Sequence, residues 1–253
     1  MPVLSLEELS IVRQHLGAYI RRDVTVTLYS TSSTGIIIPG RECAACGPVQ
    51  ELLEEVAGMS TRLNLETIDY YTHQIDAQAS GITRIPGFTV GRPGEHRMRY
   101  FGMPAQRQMP VLVSALVRAA ERSSPLKLET RRRIRRLREE AHIQVFVTPE
   151  SDHCGDTAMA ALAMAAESPK VSADVIDIGT FPNLIELYKI RGVPVTVING
   201  RVSFTGALSE ALLLKQVLRA TGEAEAGAEQ IVDYSNEVTM LNLGVRGAGT
   251  PIG

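Results

Sequence analysis

Cysteine is scarce in this chain, with three residues in 253. So small and odd a count argues against a structural disulfide framework, and it points to catalytic or metal-binding cysteines in a reducing compartment. Aromatic residues are few as well, at 5%. Neither sign of charge dominates, because 26 basic and 28 acidic side chains leave a formal net charge of −2. That balance gives no electrostatic case for nucleic acid or for an anionic membrane surface. Long apolar runs are also missing: none approaches the roughly 20 residues needed to cross a bilayer. The start, Met1-Pro2-Val3-Leu4-Ser5-Leu6-Glu7-Glu8, lacks the apolar stretch of a signal peptide. The expectation is a soluble cytoplasmic protein with no nucleic-acid or membrane partner.

What is present is a repeat. Two β-branched runs, Val24 to Tyr29 and Ile143 to Thr148, read as strands, each preceded by a helical, charge-rich stretch (Leu6 to Arg21 and Lys127 to Ala141). A cysteine-containing turn follows each strand. One offset of 108 positions takes Cys43 to Ser151, Cys46 to Cys154, Asp69 to Asp177, Ile82 to Ile190, Ile85 to Val193 and Pro86 to Pro194. A tandem duplication explains so many landmarks on one offset. Each half then runs helix, strand, cysteine turn, helix, strand, helix, apolar-Pro pair, two further strands and a closing helix. Asn199-Gly200 marks a two-residue hairpin, and Gly91-Arg92-Pro93-Gly94 a looser equivalent. The polar, proline-broken stretch Glu121 to Pro125 separates the halves. The domains are expected at 1–122 and 126–220, with an extension at 221–253. A β-α-β crossover followed by a hairpin and a covering helix gives an α/β unit with a mixed sheet between helices.

With Cys-x-x-Cys after its first strand, that unit resembles the thioredoxin pattern. The chain is similar to the two-unit protein disulfide oxidoreductases, the glutaredoxin-like members of the thioredoxin superfamily. The residues carrying the likeness are Cys43 and Cys46, Arg84-Ile85-Pro86 and Arg99-Tyr100-Phe101-Gly102-Met103-Pro104-Ala105. In the second half they are Val145 to Pro149 and Gly192-Val193-Pro194. The resemblance implies two tandem thioredoxin-like domains covering roughly residues 5 to 219. It also implies a cis proline peptide facing the dithiol, with Ile85 and Pro86 as substrate-binding residues and Val193 and Pro194 as their second-unit counterparts. Neither cofactor nor metal is expected. The expected partners are disulfide-containing proteins or small molecules and a flavin-dependent enzyme of the thioredoxin-reductase kind.

The residues themselves support dithiol chemistry. The attacking species in disulfide exchange is a thiolate, which a helix N-terminus favours through its unpaired N–H groups and dipole. Val49, Leu52, Leu53 and Val56 recur with helical spacing just after Cys46, and Pro48 suits a first turn. Cys43 would attack and Cys46 resolve. The opposite register, with Cys46-Gly47-Pro48 as the nucleophile motif, is the alternative; Thr148-Pro149-Glu150-Ser151, which resembles the family's Thr-Pro-x-Cys, places Ser151 and hence Cys43 at the attacking position. No acid lies in the first strand, where Thr25 and Thr27 stand, to help deprotonate Cys46. Zinc is the rival use of the pair, but three cysteines cannot make a four-cysteine site, and His15, His73, His96, His142 and His153 are not spaced as ligand pairs.

The second unit has Ser151 in place of the attacking thiol. It reads either as a single-thiol site with Cys154 aided by His153 or as a degenerate unit kept for packing or binding. The first unit carries about ten extra residues between Tyr29 and Cys43, including Ile36 to Pro39, which read either as a surface loop with a tucked-in apolar anchor or as a lip that covers the dithiol and shapes substrate choice. The arginines between Arg131 and Arg138 read as a solvated helix face. Three functions remain open: a thiol–disulfide oxidoreductase, a redox-linked peptide-binding module, or an electron carrier dedicated to one partner enzyme.

Overall fold

The computed structural model describes residues 5–31, 40–121 and 124–223. Most of the insertion before Cys43 and most of the extension, and with them Ile36 to Ile38, lie outside the described residues.

The first half contains α1 (Leu6–Tyr19), β1 (Val24–Ser30), α2 (Cys46–Ala57), β2 (Leu63–Asp69), α3 (Gln74–Ala79), β3 (Gly87–Gly91), β4 (Met98–Phe101) and α4 (Met109–Ala120). A connecting helix, α5 (Leu128–Arg135), leads to β5 (Ala141–Val147), α6 (Cys154–Glu167), β6 (Val171–Asp177), α7 (Asn183–Leu187), β7 (Val195–Ile198), β8 (Val202–Thr205) and α8 (Glu210–Ala220). Sequence forces are visible at several ends. Ser5 and Glu8 form a reciprocal capping box at the start of α1. Asn199 and Gly200 both adopt the left-handed conformation, with φ of 51° and 64°, that a tight hairpin of this kind demands.

The two halves share one eight-stranded sheet in the order β2-β1-β3-β4-β6-β5-β7-β8. In each half a parallel pair (β1 with β2, β5 with β6) adjoins an antiparallel hairpin. The halves join through parallel pairing of β4 with β6, Met98 opposite Ala173 and Phe101 opposite Ile176. The polar stretch after α4 is therefore a break along the chain but not in the hydrogen-bonded sheet. Side chains alternate across it. Val26 and Leu28 of β1 face a core that also receives α1, α2, α4, α5, α6 and α8. Tyr29 faces the opposite side, where α3 and α7 supply Ala77 and Leu184. Each of these cores runs through both halves.

Two expectations need correction. The second charge-rich helix ends at Arg135, not near Ala141, which begins β5. Arg136 to Glu140 form a turn and bends, and Asn199 then fixes the entry to β5: its side chain donates to the Glu140 carbonyl at 3.0 Å and accepts from the His142 N–H at 2.7 Å. The arginine cluster keeps Arg132, Arg135, Arg136 and Arg138 exposed, as a solvated face should, but is not solvated throughout, because Arg131 and Arg133 are half-buried. Arg131 and Arg135 reach the carboxylate of Glu167, whose side chain is 5% exposed, at 3.1 and 2.6 Å. A buried carboxylate needs such partners.

Candidate active site

β1, β2, β4, β5, β6 and β8 all run in one direction, and β3 and β7 run against them. The turns after β1 and β5, and the segments entering β3 and β7, therefore emerge at the same end of the sheet. Both cysteine turns and both apolar-Pro pairs lie at that end.

In the first half Cys43 and Cys46 are joined as a disulfide with a Cα–Cα distance of 5.4 Å. Cys46 begins α2 and is buried, whereas Cys43, in the turn before it, is half-exposed. The Cys46 N–H donates to the Cys43 carbonyl at 3.2 Å, which closes the turn. Val49, Leu52, Leu53 and Val56 bury the inner face of α2 and anchor this helix end against the sheet. Such an end presents unpaired N–H groups toward the sulfurs.

Across β1, Tyr29 pairs with Gly87, so Pro86 enters the sheet beside the strand that leads to the dithiol. The Ile85–Pro86 peptide is cis, as is Val193–Pro194. The Pro86 carbonyl accepts from Gly102 N–H at 3.0 Å, and the Pro194 carbonyl accepts from Gly206 N–H at 2.8 Å, an identical clasp in both halves. Gly87 has no room for a side chain, because a Cβ there would lie 2.7 Å from the Arg84 carbonyl oxygen. The landmark Asp69 serves its own turn, accepting from Thr72 N–H at 2.8 Å.

The second turn repeats the burial of the first at both cysteine positions, with Ser151 half-exposed and Cys154 buried. Cys154 begins α6 with no exposure, while His153 beside it is exposed, so the two residues face different surroundings. The Ser151 hydroxyl accepts from the His153 N–H at 3.3 Å. The chain from Gly102 to Gln108, out of the first half, lies over this turn. Arg107 N–H donates to the Pro149 carbonyl at 3.3 Å, and the Arg107 guanidinium pairs with Asp152. Gln108, fully buried, donates to the Thr148 carbonyl at 3.3 Å. Asp177 accepts from Thr180, through both N–H and hydroxyl, and more weakly from Met103 N–H. Tyr100 is buried with its hydroxyl unpartnered among the described residues. Burial pushes its phenol well above the usual value, and the nearby Asp177 and Cys154 add to the shift.

Sequence reasoning missed a network at the joint. Arg99 of β4 pairs with Asp174 of β6 at 2.5 Å, and His142 of β5 reaches the same carboxylate at 2.6 Å. It named Arg84 only within the resemblance and gave it no role; the guanidinium lies 5.6 Å from the ring centres of both Phe101 and, in the second half, Phe181. The register of β4 against β6 is a tertiary fact, and no spacing along the chain announces it. Among the described residues no group of three His, Cys, Asp or Glu side chains could hold a metal ion. Two open clefts, of about 720 and 320 Å³, lie at the other end of the sheet.

This duplicated β-α-β plus hairpin, with a cysteine turn and a cis proline at one end, decides the fold. The chain carries the thioredoxin fold twice. Residues 141–219 match the thioredoxin domain family. The fold superposes on the N/C domain of the alkylhydroperoxide reductase AhpF from Enterococcus faecalis, with a TM-score of 0.76 at 22% identity, over 85% of this chain and 99% of that one. A protein disulfide oxidoreductase from Aeropyrum pernix gives a TM-score of 0.76 at 21% identity, over 88% of this chain and 96% of that one. Among curated relatives, an NADH dehydrogenase from Ferdinandcohnia aciditolerans is 26% identical over 202 residues, 79% of this chain and 36% of the relative. The alkyl hydroperoxide reductase AhpF from Staphylococcus aureus is 27% identical over 182 residues, 72% of this chain and 32% of the relative. The chain thus spans about a third of the length of these curated relatives.

Proposed function

We propose that this protein is a thiol–disulfide oxidoreductase working through Cys43 and Cys46. The observation that carries the reading is the Cys43–Cys46 disulfide at the start of α2, at the same sheet end as the cis Ile85–Pro86 peptide. In the reduced protein the Cys43 thiolate attacks one sulfur of a substrate disulfide and expels the other, which takes up a proton. Cys46, deprotonated, then attacks the Cys43 sulfur of the mixed disulfide and releases the second substrate thiol. Two electrons pass to the substrate, leaving the intramolecular disulfide seen here. The half-exposure of Cys43 and the burial of Cys46 suit attacker and resolver respectively. Ile85 and Pro86 would hold the substrate chain beside the dithiol.

The substrates are proteins or small molecules bearing disulfides, and a flavin-dependent enzyme of the thioredoxin-reductase kind returns the electrons. Relatives named as alkyl hydroperoxide reductases support a second reading, an electron carrier dedicated to one partner enzyme. On either reading the protein acts in the cytoplasm, in thiol redox balance. Its units span 1–122 and 126–220, and the Ser151/Cys154 unit serves packing and binding rather than exchange.

Single-cysteine variants test this in disulfide-reduction assays. Cys43→Ser is expected to abolish turnover, Cys46→Ser to accumulate mixed disulfides with substrate, and Cys154→Ser to stay within about twofold of the parent. Trapping by Cys43→Ser instead would reverse the two roles. Loss of turnover in Cys154→Ser alone would move the chemistry to the second unit.

A further inference from the structure

The dithiol end of the sheet carries two cations that no ion pair ties to the fold among the described residues. Arg84 precedes Ile85, and its guanidinium is packed against Phe101 at the end of β4 and Phe181 after β6, 5.6 Å from each ring centre. Its Nη1 is buried with no hydrogen-bond partner among the described residues. Burial draws its pKa down, and only the more distant Tyr188 and Asp174 oppose that shift. Asp174 already serves Arg99 and His142. Arg41, two positions before Cys43, is exposed and lies 4.5 Å from the ring centre of Tyr71, just after β2. Neither guanidinium has an ion-pair partner among the described residues.

Their placement follows from the strand order. β2 and β4 flank β1 and β3, so Tyr71 and Phe101 stand on opposite sides of the Cys43 turn and Pro86. One cation is thus held on each side of the dithiol, by an aromatic face rather than by a carboxylate. Stacking of this kind orients a guanidinium and leaves N–H donors for another group. The second half lacks this arrangement: the position matching Arg84 is Gly192. A half-buried cation without a carboxylate is costly unless something repays it, and a ligand carboxylate would.

We propose that Arg84 and Arg41 select disulfides flanked by acidic side chains, with Phe181 of the second unit positioning Arg84. The inference rests on the dithiol reading above, and it gives the second unit a part in substrate choice although it does no exchange.

The test uses the full chain and two disulfide-bridged peptides identical except for Asp/Glu or Lys/Arg beside the cysteines. Wild-type kcat/KM is expected to favour the acidic peptide by about tenfold at low salt, and by less as ionic strength rises. Arg84→Gln should lower the ratio, Arg84→Gln with Arg41→Gln should bring it near one, and Arg84→Glu with Arg41→Gln should invert it. Phe181→Ala should lower the ratio by about threefold while Arg84→Lys restores part of what Arg84→Gln loses. Equal rates for the two peptides with the wild-type protein, or a ratio unmoved in Arg84→Gln and Arg84→Glu, would overturn the inference and leave the dithiol reading standing. Failure of the wild-type protein to reduce either peptide, or a neutral hydroxyethyl disulfide, would overturn both.

Discussion

The two cysteine turns are built on one plan and have different neighbours. Each follows a parallel strand, starts a helix, and shares its sheet end with a cis proline clasped by a glycine N–H. The difference lies in what stands beside them. β2, next to the first turn, is an edge strand with mostly exposed or half-exposed residues, so among the described residues nothing from a neighbouring strand crosses that turn. β6, its counterpart, is buried and paired with β4, and the chain leaving β4 passes over the second turn. Duplication and fusion thus place the first unit's own chain, at Arg107 and Gln108, against Thr148, Pro149 and Asp152 of the second turn. Ser151 itself stays half-exposed, as Cys43 is.

The largest expected effect breaks this comparison directly. If the cover decides, restoring the missing thiol will not restore activity. Cys43→Ser combined with Ser151→Cys is expected to reduce disulfides at below about one-hundredth of the parent rate, because the chain from Gly102 to Gln108 stands beside that turn and would meet a protein substrate, although position 151 is itself half-exposed. Recovery of turnover near the parent rate would show that Ser151 alone silenced the second unit.

Next in size is the joint itself. Asp174→Ala leaves Arg99, with 11% of its side chain exposed, facing no carboxylate at the β4–β6 seam. Urea unfolding should register a loss of about 3–5 kcal/mol. Asp69 takes part in no such seam, so a loss as large from Asp69→Ala would mean that the joint is not what distinguishes the two units.

The smallest effect concerns Tyr100. Its folded pKa lies above the unfolded value, so its contribution to stability is complete below about pH 10 and falls as pH rises beyond that. Tyr100→Phe should remove this share of the alkaline loss. Because the hydroxyl has no partner among the described residues, stability at neutral pH should be unchanged or higher by up to about 1 kcal/mol. A marked loss at neutral pH would reveal a hydrogen bond to that hydroxyl.

Much of this was legible along the chain, because the features concerned are local. The Asn199-Gly200 hairpin follows from backbone sterics, the apolar face of α2 from helical period, and the Cys43–Cys46 pair from its spacing. The stretch from Arg136 to Glu140 was misread because helix propensity is a weak preference, and distant Asn199 fixes the entry to β5 that follows it. Asp177 was visible as a repeat landmark, but its place beside Gly102 was not.

By itself, then, the sequence determined the duplicated unit, its strands and turns, and which half keeps two thiols, since period, turn chemistry and residue identity act over a few positions. Only the tertiary structure decided that the sheets fuse through β4 and β6, that the chain leaving β4 lies against the second cysteine turn, and that Arg84 rests between rings from both halves. Those outcomes depend on strand register and packing between residues dozens of positions apart, which no short-range pattern encodes.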